Sequence, residues 1–284
     1  ENDGGFDSTF DITGSQIPLP FGGYTTSGAE ASVEVTGESL IESAEDISIS
    51  SRSISDASLR SVSKGLGFVY ARSTSSADIT VGNAHLKAPD GDIVLTSDAS
   101  ATLSPMIKTR NSKKTNPLGE KTNKYVELAG AYGTGELVSQ TTVAPEARID
   151  AGGHLKVLAK GKKTADVIAD AGTYDDGTAG ASFAYSNFDS RVSTSLGGTV
   201  GENVTPKRVD VRSDFEGKSN TQSTTDVFGE SGGIFYDLVL DRDKLLLDQL
   251  SGFVQNKGGL DGRSGSGSDK MGLAAAFLYQ EHSN

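Results

Sequence analysis

The chain has 284 residues, of which only 35% are apolar, and it contains 35 glycines, no cysteine and no tryptophan. Its formal net charge of −12 would repel a nucleic acid, and no basic stripe with interleaved aromatic residues offsets that repulsion. The absence of cysteine excludes disulfides, thiolate metal sites and cysteine nucleophiles.

Neither a membrane span nor a signal peptide is found in the sequence. No apolar run approaches the roughly 18 residues of a spanning helix, and the first residues lack the charged and apolar regions of a secretory signal. Because the chain opens at Glu1 without a methionine, we expect it to be a segment of a longer protein. The acidic, glycine-rich composition suits an extracellular or periplasmic protein with many tight turns and a thin core.

A short alternating pattern recurs four times along the chain. An apolar residue, a spacer and a small residue precede a turn, and two alternating apolar residues and a small one follow it. The leading apolar residues are Ile41, Leu86, Ile149 and Val204. The apolar pairs after the turns are Ile47/Ile49, Ile93/Leu95, Leu155/Val157 and Val209/Val211. Period-two alternation between Gly and Asp residues predicts half-buried strands, and we expect all eight paired residues to face one interior.

Two further segments precede each copy of this pattern. One is a short run in which apolar and polar residues alternate. Its apolar residues are Ala31, Val33 and Val35 in the first copy and Ala77, Ile79 and Val81 in the second, and Val143 and Val200 are at the matching places of the other two. The other combines glycine with aromatic residues and begins at Phe21, Gly65, Gly130, Gly180 and Gly272. Since no alternating run follows the last of these, we expect the chain to stop in mid-repeat at Asn284.

The repeat predicts an all-β fold, namely a single right-handed parallel β-helix over residues 1–284 with loop insertions and one short helical insertion. The leading apolar residues lie 45, 63 and 55 residues apart, which is too irregular for ankyrin or leucine-rich repeats. We expect two or three coils of roughly 20–25 residues per repeat, hence about 10 coils that stack at ~4.8 Å each. A β-sandwich is the alternative.

Four intervals interrupt the repeat. Residues 105–124 are basic and lack periodicity, which predicts a projecting loop, and residues 170–179 predict a second polar loop. Residues 241–254 predict a helix that Asp241 can cap, and we expect Leu246, Leu250 and Phe253 to dock it on the solenoid. The Gly- and Ser-rich composition of residues 257–269 predicts a flexible connection.

The cycle of a glycine-aromatic strand, an alternating strand and strands such as GDIVLTS and GGHLKVLAK resembles the repeats of giant bacterial filamentous adhesins. The resemblance is to leukotoxin-type filamentous adhesins and haemagglutinin-like β-helix surface proteins, and it covers about residues 20–284. It implies secretion to the cell surface, a right-handed β-helix and a role in adhesion or cell contact. It implies no catalytic residues.

Candidate metal sites are weak in this sequence. The stretch from Gly258 to Asp269 is the nearest approach to a calcium-binding nonapeptide, but it lacks the large apolar residue after each Asp. Asp90, Asp92 and the pair Asp175-Asp176 offer oxygen ligands on separate turns, or are simply solvated. We therefore expect no cofactor and at most weak Ca²⁺ binding.

Candidate catalytic groups are equally sparse. Asp189 with Arg191, and Asp210 with Arg212, alternate on predicted strands as in a polysaccharide-cleaving groove, but any water-facing strand shows the same pattern. The three histidines, His85, His154 and His282, have no partner at metal-ligand spacing. The eight tyrosines are taken to be spread along the repeats. We therefore expect no enzyme activity and assign no catalytic residues.

These observations predict a structural or adhesive segment of a giant secreted surface protein. The partner would be a cell-surface glycan, a protein receptor or a neighbouring segment of the same long chain. The alternative is a polysaccharide-binding or polysaccharide-cleaving β-helix protein.

The basic interval 105–124 predicts a contact with an anionic partner, because it is a local positive patch on an acidic molecule. Its basic residues are Lys108, Arg110, Lys113, Lys114, Lys121 and Lys124. Salt screens attraction between exposed charges, so binding to anionic glycans should weaken with salt and disappear when residues 107–123 are deleted. A solvated loop without a partner is the alternative. It would be indicated by unchanged binding after the deletion, or by no binding in the parent chain.

Overall fold

A computed structural model describes residues 9–12, 15–18, 21–63, 65–110, 125–173, 177–227 and 271–283. Every regular element among these residues is a β-strand. None of the described elements is a helix long and apolar enough to span a membrane. The predicted helix at 241–254 and the connection at 257–269 lie outside the described residues.

The strands fall into a pair at the start of the chain and then a repeating set of three. The pair is antiparallel and consists of β1 (Thr9–Ile12) and β2 (Ser15–Pro18). Each repeat then has a long first strand, a short second strand and a long third strand. The first repeat has β3 (Phe21–Val35), β4 (Ser39–Glu42) and β5 (Ile47–Ser63), and the second has β6 (Leu66–Val81), β7 (Ala84–Ala88) and β8 (Ile93–Arg110). The third has β9 (Tyr125–Val143), β10 (Arg148–Ala151) and β11 (His154–Thr173), and the fourth has β12 (Gly177–Leu196), β13 (Thr199–Val200) and β14 (Arg208–Val227), after which β15 (Met271–Ser283) begins a fifth.

Strands of the same kind form three parallel sheets. The first-strand sheet has the order β15-β12-β9-β6-β3, the short-strand sheet β13-β10-β7-β4, and the third-strand sheet β14-β11-β8-β5. Neighbours in each sheet come from successive repeats, so one repeat supplies one coil. The arrangement is consistent with a parallel β-solenoid and confirms the all-β prediction with parallel sheets.

The expectation of two or three coils per repeat is wrong. The long strands have 15 to 20 residues in the four complete coils, and each coil is therefore wide and flat. The sequence suggested shorter strands because serine, threonine and alanine replace large apolar residues along much of each inward face. The inward positions of β5 from Ser51 to Ser55 illustrate this, since all three are buried serines.

The predicted apolar pairs form two columns along the stack. Ile47, Ile93, Leu155 and Val209 are in register, and so are Ile49, Leu95, Val157 and Val211. Ile93, Leu95, Leu155 and Val157 are fully buried. Val209 and Val211 are in line with these residues, but they are exposed by 46% and 43% and are not buried in the interior. They belong to β14, which is the edge of its sheet and has no neighbour beyond it among the described strands.

The fourth copy of the repeat is shifted from its predicted place. Val200, and not Val204, pairs with Ile149 in the short-strand sheet. Gly201 then adopts a positive φ of 78°, and residues 201–207 form a turn before β14. The apparent match at Val204 and Pro206 arises because that turn happens to contain an apolar residue two positions before a proline.

The two long sheets face each other across a thin core. Hydroxyl groups join them, with oxygen–oxygen distances of 2.8 Å for Ser53–Ser75, 2.9 Å for Ser55–Ser73 and 2.8 Å for Ser97–Ser139. Buried hydroxyls need such partners, because an unpaired polar group in a core is destabilising. The ring of buried Phe188 fits beside a glycine, since a Cβ on Gly135 would lie 2.3 Å from it.

Aspartates at one corner link the first coil to the second and the second coil to the third. Asp46 Oδ1 accepts the N–H of Asp92 at 2.7 Å, and Asp92 Oδ1 accepts the N–H of His154 at 2.7 Å. These bonds satisfy backbone donors where the chain turns into the third strand. Asp92 therefore has a structural role at this corner, beside the Lys156 ammonium at 3.7 Å.

The predicted loop boundaries move when compared with the strands. Residues 105–110 are the end of β8, and only 111–124 of the basic interval lies outside the described residues. The second polar loop was predicted at 170–179, but residues 170–173 belong to β11 and 177–179 to β12, and residues 174–176 lie outside the described residues.

Replacing Ile93 with Asp should lower the free energy of unfolding by about 4 kcal/mol, because it buries an unpaired carboxylate in the column. The control is Ile54→Asp, because the Ile54 side chain is 57% exposed on the outer face of β5. The control should change the free energy by about 0.5 kcal/mol or less. Urea denaturation followed by far-UV circular dichroism measures both variants, and equal stabilities would show that the Ile93 column is not an interior.

Candidate functional site

The outward face of the first-strand sheet contains a column of tyrosines. Tyr24, Tyr70, Tyr132 and Tyr185 occupy the same register position on four successive strands. Successive ring centroids are 5.2, 5.5 and 4.9 Å apart, and the ring planes differ by 16° or less. In-register parallel strands place equivalent side chains about 4.8 Å apart, which is the separation at which aromatic rings stack.

Hydrogen bonding and burial fix this column. The Tyr70 hydroxyl lies 2.9 Å from Thr134 Oγ1 on the next coil. Burial raises the pKa of Tyr132, and the neighbouring Tyr185 and Tyr70 hydroxyls raise it further.

A second aromatic column lies next to the tyrosines, two residues earlier on each strand. It reads Gly22, Phe68, Gly130 and Phe183 in order along the stack. The Phe68 ring occupies the space above Gly130, where an added Cβ would lie 2.2 Å from a ring carbon. Between the two columns a groove of about 540 Å³ opens, with Gly22 on its lining. We call Tyr24, Phe68, Tyr70, Tyr132, Phe183 and Tyr185 the aromatic strip.

A polar groove follows on the same face, farther along the same strands. It has a volume of about 550 Å³. Its polar lining includes Glu30, Arg72, Thr74, Ser76 and Glu136. Phe68, Tyr70, Arg72, Thr74 and Ser76 alternate along β6, so the aromatic strip and the polar groove form one continuous surface.

The sequence analysis missed this surface, and its interpretation of the tyrosines as spread along the repeats is wrong. Four of the eight tyrosines lie in one column. The signal was present in the glycine-aromatic segments, since each of the first four contains a tyrosine at the equivalent position. Aligning those segments with each other, as was done for the apolar pairs, would have found the column.

The basic residues of the predicted binding loop are only partly described. Lys108 lies on the outer face of β8, where its ammonium is 3.8 Å from an Asp170 carboxylate oxygen on the next coil. Arg110 is the last residue of β8, and Lys113, Lys114, Lys121 and Lys124 lie outside the described residues. A deletion of 107–123 would remove buried Ile107 as well, so a deletion of 111–124 tests the loop more cleanly.

The candidate acid and metal residues are not brought together. Arg212 forms an ion pair with Asp214 at 3.0 Å and not with Asp210. Asp189 and Arg191 are exposed on the outward face of β12, while Asp175, Asp176 and the side chain of His282 lie outside the description. Within the described part of the chain, no three His, Asp or Glu residues are arranged to hold a metal ion.

The His85 ring makes a close contact with the Asp150 carboxylate, and this contact has a structural role. Asp150 is buried and accepts hydrogen bonds from His85 Nε2 at 2.9 Å, from the Asn203 amide groups and from the Val204 N–H. Burial would raise the pKa of Asp150, but these hydrogen bonds outweigh it and hold the pKa well below its usual range. The carboxylate thereby fixes the 201–207 turn.

Two more titratable groups are buried between the long sheets. The Lys163 ammonium lies 4.8 Å from the centre of the Phe188 ring, and burial lowers its pKa against the opposing charge of Asp189. Glu127 is almost fully buried and accepts the Gly65 N–H at 2.9 Å. Burial raises the pKa of Glu127 to about 7, although the Gly65 hydrogen bond opposes the rise.

Comparison with protein-family models, with curated proteins and with solved structures found no match to this chain. The resemblance to filamentous adhesins therefore stays a prediction, and the surface described above has to be interpreted from its own chemistry.

Glu127 should make the stability of the protein fall as the pH rises from about 4.3 to about 7. In that range the folded state keeps a proton that the unfolded chain has released, so each increase in pH favours unfolding. Glu127→Gln removes this dependence and preserves an oxygen for the Gly65 N–H. Urea denaturation between pH 4.5 and 7.5 should give a flatter stability profile for the variant, and parallel profiles would contradict the assignment.

Proposed function

We propose that this chain is a structural and adhesive segment of a secreted bacterial surface protein, a right-handed β-solenoid that mediates cell contact. The observation that supports it best is the aromatic strip with its adjoining polar groove, displayed on a rigid stack of coils. On this proposal the protein is extracellular and acts by binding, without catalysis and without a cofactor. Its partner is a glycan or a receptor on another cell, or a neighbouring segment of a longer chain.

The stack of coils is suited to holding a surface in a fixed geometry. The backbone hydrogen bonds of the three sheets run along the whole stack, and outward ion pairs join successive coils. Such pairs include Lys87–Glu42 at 2.6 Å, Arg52–Asp98 at 3.8 Å and Lys162–Glu216 at 3.9 Å. Each exposed pair adds little stability, but opposite charges in adjacent coils favour the correct register.

Exposed aromatic residues on this scaffold favour an interaction surface. Tyr24 is 70% exposed, Phe68 52% and Tyr132 41%, and the three belong to one patch. Contiguous apolar patches on soluble proteins are commonly sites of binding, because a water-exposed apolar surface gains free energy when a partner covers it.

The second candidate is a polysaccharide-binding β-helix protein that binds soluble polysaccharides and does not bind cells. The same aromatic strip favours it, because aromatic residues beside carboxylates and an arginine suit a carbohydrate. The two candidates differ in whether an intact cell surface is the target.

Fluorescently labelled chain should bind saturably to bacterial or animal cells from a panel. The control is Tyr24→Ala/Phe68→Ala labelled in the same way. Periodate treatment of the cells, which oxidises glycans, or protease treatment, which removes protein receptors, should reduce the binding. Saturable binding to soluble polysaccharides with none to any cell surface would favour the second candidate, and binding to neither would contradict both.

A further inference from the structure

We propose that the aromatic strip and the polar groove together form a binding site for a neutral oligosaccharide. The oligosaccharide lies along β3 and β6, and it extends from the aromatic strip to the polar groove. This inference rests on the proposed adhesive function and adds to it the location of the site and the class of ligand. Its support lies in the apolar contacts, the arrangement of the polar groups and the charge of this face.

The apolar contacts are provided by two exposed rings on adjacent coils. Tyr24 is the first ring of its column, so one of its faces has no stacked neighbour in the described structure. The Phe68 ring lies over Gly130 and is half exposed. One face of a pyranose ring presents C–H groups, and a flat aromatic surface beside an open groove accommodates such a face.

The polar contacts follow in the direction of the strands. From Tyr70, the outward residues of β6 are Arg72, Thr74 and Ser76. Successive outward residues are about 6.6 Å apart, so the distance from Tyr70 to Thr74 is about 13 Å. This length requires a chain of several sugars, and a single one would reach only part of the surface. Gly28 pairs with Thr74 and leaves the floor of the polar groove open.

The charge of the face favours a neutral ligand. The carboxylates of Glu30 and Glu136 line the polar groove together with the guanidinium of Arg72. Sugar hydroxyls can donate hydrogen bonds to the two carboxylates and accept them from Arg72. An anionic glycan would meet these carboxylates on a molecule of net charge −12, and repulsion would weaken its binding.

A peptide is a poorer occupant of this face. The backbone groups of β6, β9 and β12 are paired on both sides, so no strand can be added to them. A peptide could pair with β3, which is the edge of the sheet, but it would then leave the outward face uncovered. A peptide ligand and a second copy of the chain are therefore outcomes for the experiment to detect.

The test is titration of the full chain with cellohexaose, chitohexaose and mannohexaose, and with hexagalacturonate as the anionic comparison. Calorimetry gives the affinity. Tyrosine fluorescence gives a second readout, because four of the eight tyrosines lie in the strip and the chain has no tryptophan to mask them. At least one neutral hexasaccharide should bind, and it should bind more tightly than hexagalacturonate.

Three variants locate the site. Tyr24→Ala/Phe68→Ala should weaken binding about tenfold or more, as expected for central aromatic contacts. Glu136→Gln changes an exposed polar group, should leave the fold intact and should also weaken binding. The matched control is Ile54→Ala/Val62→Ala, which removes exposed apolar side chains from the outer face of the other long sheet and should leave the affinity unchanged. Circular dichroism and thermal melting confirm that each variant is folded.

Several outcomes would overturn the inference: no binding of any neutral hexasaccharide, tighter binding of hexagalacturonate, or unchanged affinity in the folded strip variant. Concentration-dependent self-association that the strip variant abolishes would assign the surface to a second copy instead. If cells still bind the strip variant as well as the parent, the site is elsewhere and the adhesive function stands. If the hexasaccharide binds at the strip but no cell surface does, the adhesive function fails and the site stands.

Discussion

Parallel, in-register hydrogen bonding between successive coils is the constraint on which the rest of this structure depends. Each long strand of coils two and three is paired on both sides over most of its length. Because side chains alternate between the two faces of a strand, a slip of one residue would exchange the inward and outward sets. The register is therefore kept even where the chain lengthens between coils. At the start of β12 a bulge between Gly177 and Ala179 absorbs one extra residue, and Tyr185 then falls beside Tyr132.

The thin core follows from the same constraint. Two long sheets that are held a short distance apart leave room for alanine and serine at most inward positions, and a large ring fits only where its neighbours are glycine. Phe188 meets this condition at Gly135, where an added Cβ would lie 2.3 Å from the ring. Several of the serines are hydrogen-bonded from one long sheet to the other: Ser51 Oγ donates to the Ala31 carbonyl at 2.8 Å, and Ser53 pairs with Ser75. Stability thus comes from many small contacts and backbone bonds, with the large aliphatic side chains concentrated near the short-strand sheet.

Sequence reasoning predicted the part of the fold where apolar alternation is strong. The columns through Ile93 and Leu95, the corresponding run at Ile79 and Val81, and the parallel stacking of repeats are all confirmed.

Sequence reasoning gave the wrong number of coils, because buried serines look like exposed residues when only hydropathy is considered. It misplaced the fourth repeat, because a buried Asp150 that organises the 201–207 turn has no local signature. The right-handedness of the β-helix and the helix at 241–254 remain predictions. The candidate site was missed for a different reason: its residues are separated by 46 to 62 positions in sequence and meet only when the register is known.

The register also explains how a repetitive scaffold can hold a specific surface. Insertions between a third strand and the next first strand change the number of residues per repeat without moving the columns, so the tyrosines stay aligned across repeats of unequal length.

The specificity of the surface then depends on which residues differ within a column. In the column beside the tyrosines, glycine alternates with phenylalanine, which leaves each ring the space of a neighbour that has no side chain. In the polar groove the corresponding column changes from Gly28 to Thr74 to Glu136, so hydrogen-bonding character varies from coil to coil while the spacing is constant. An oligosaccharide that lies along β3 and β6, as proposed, would contact the two apolar columns first and the polar column next, and the register holds these columns at a fixed spacing on one rigid face.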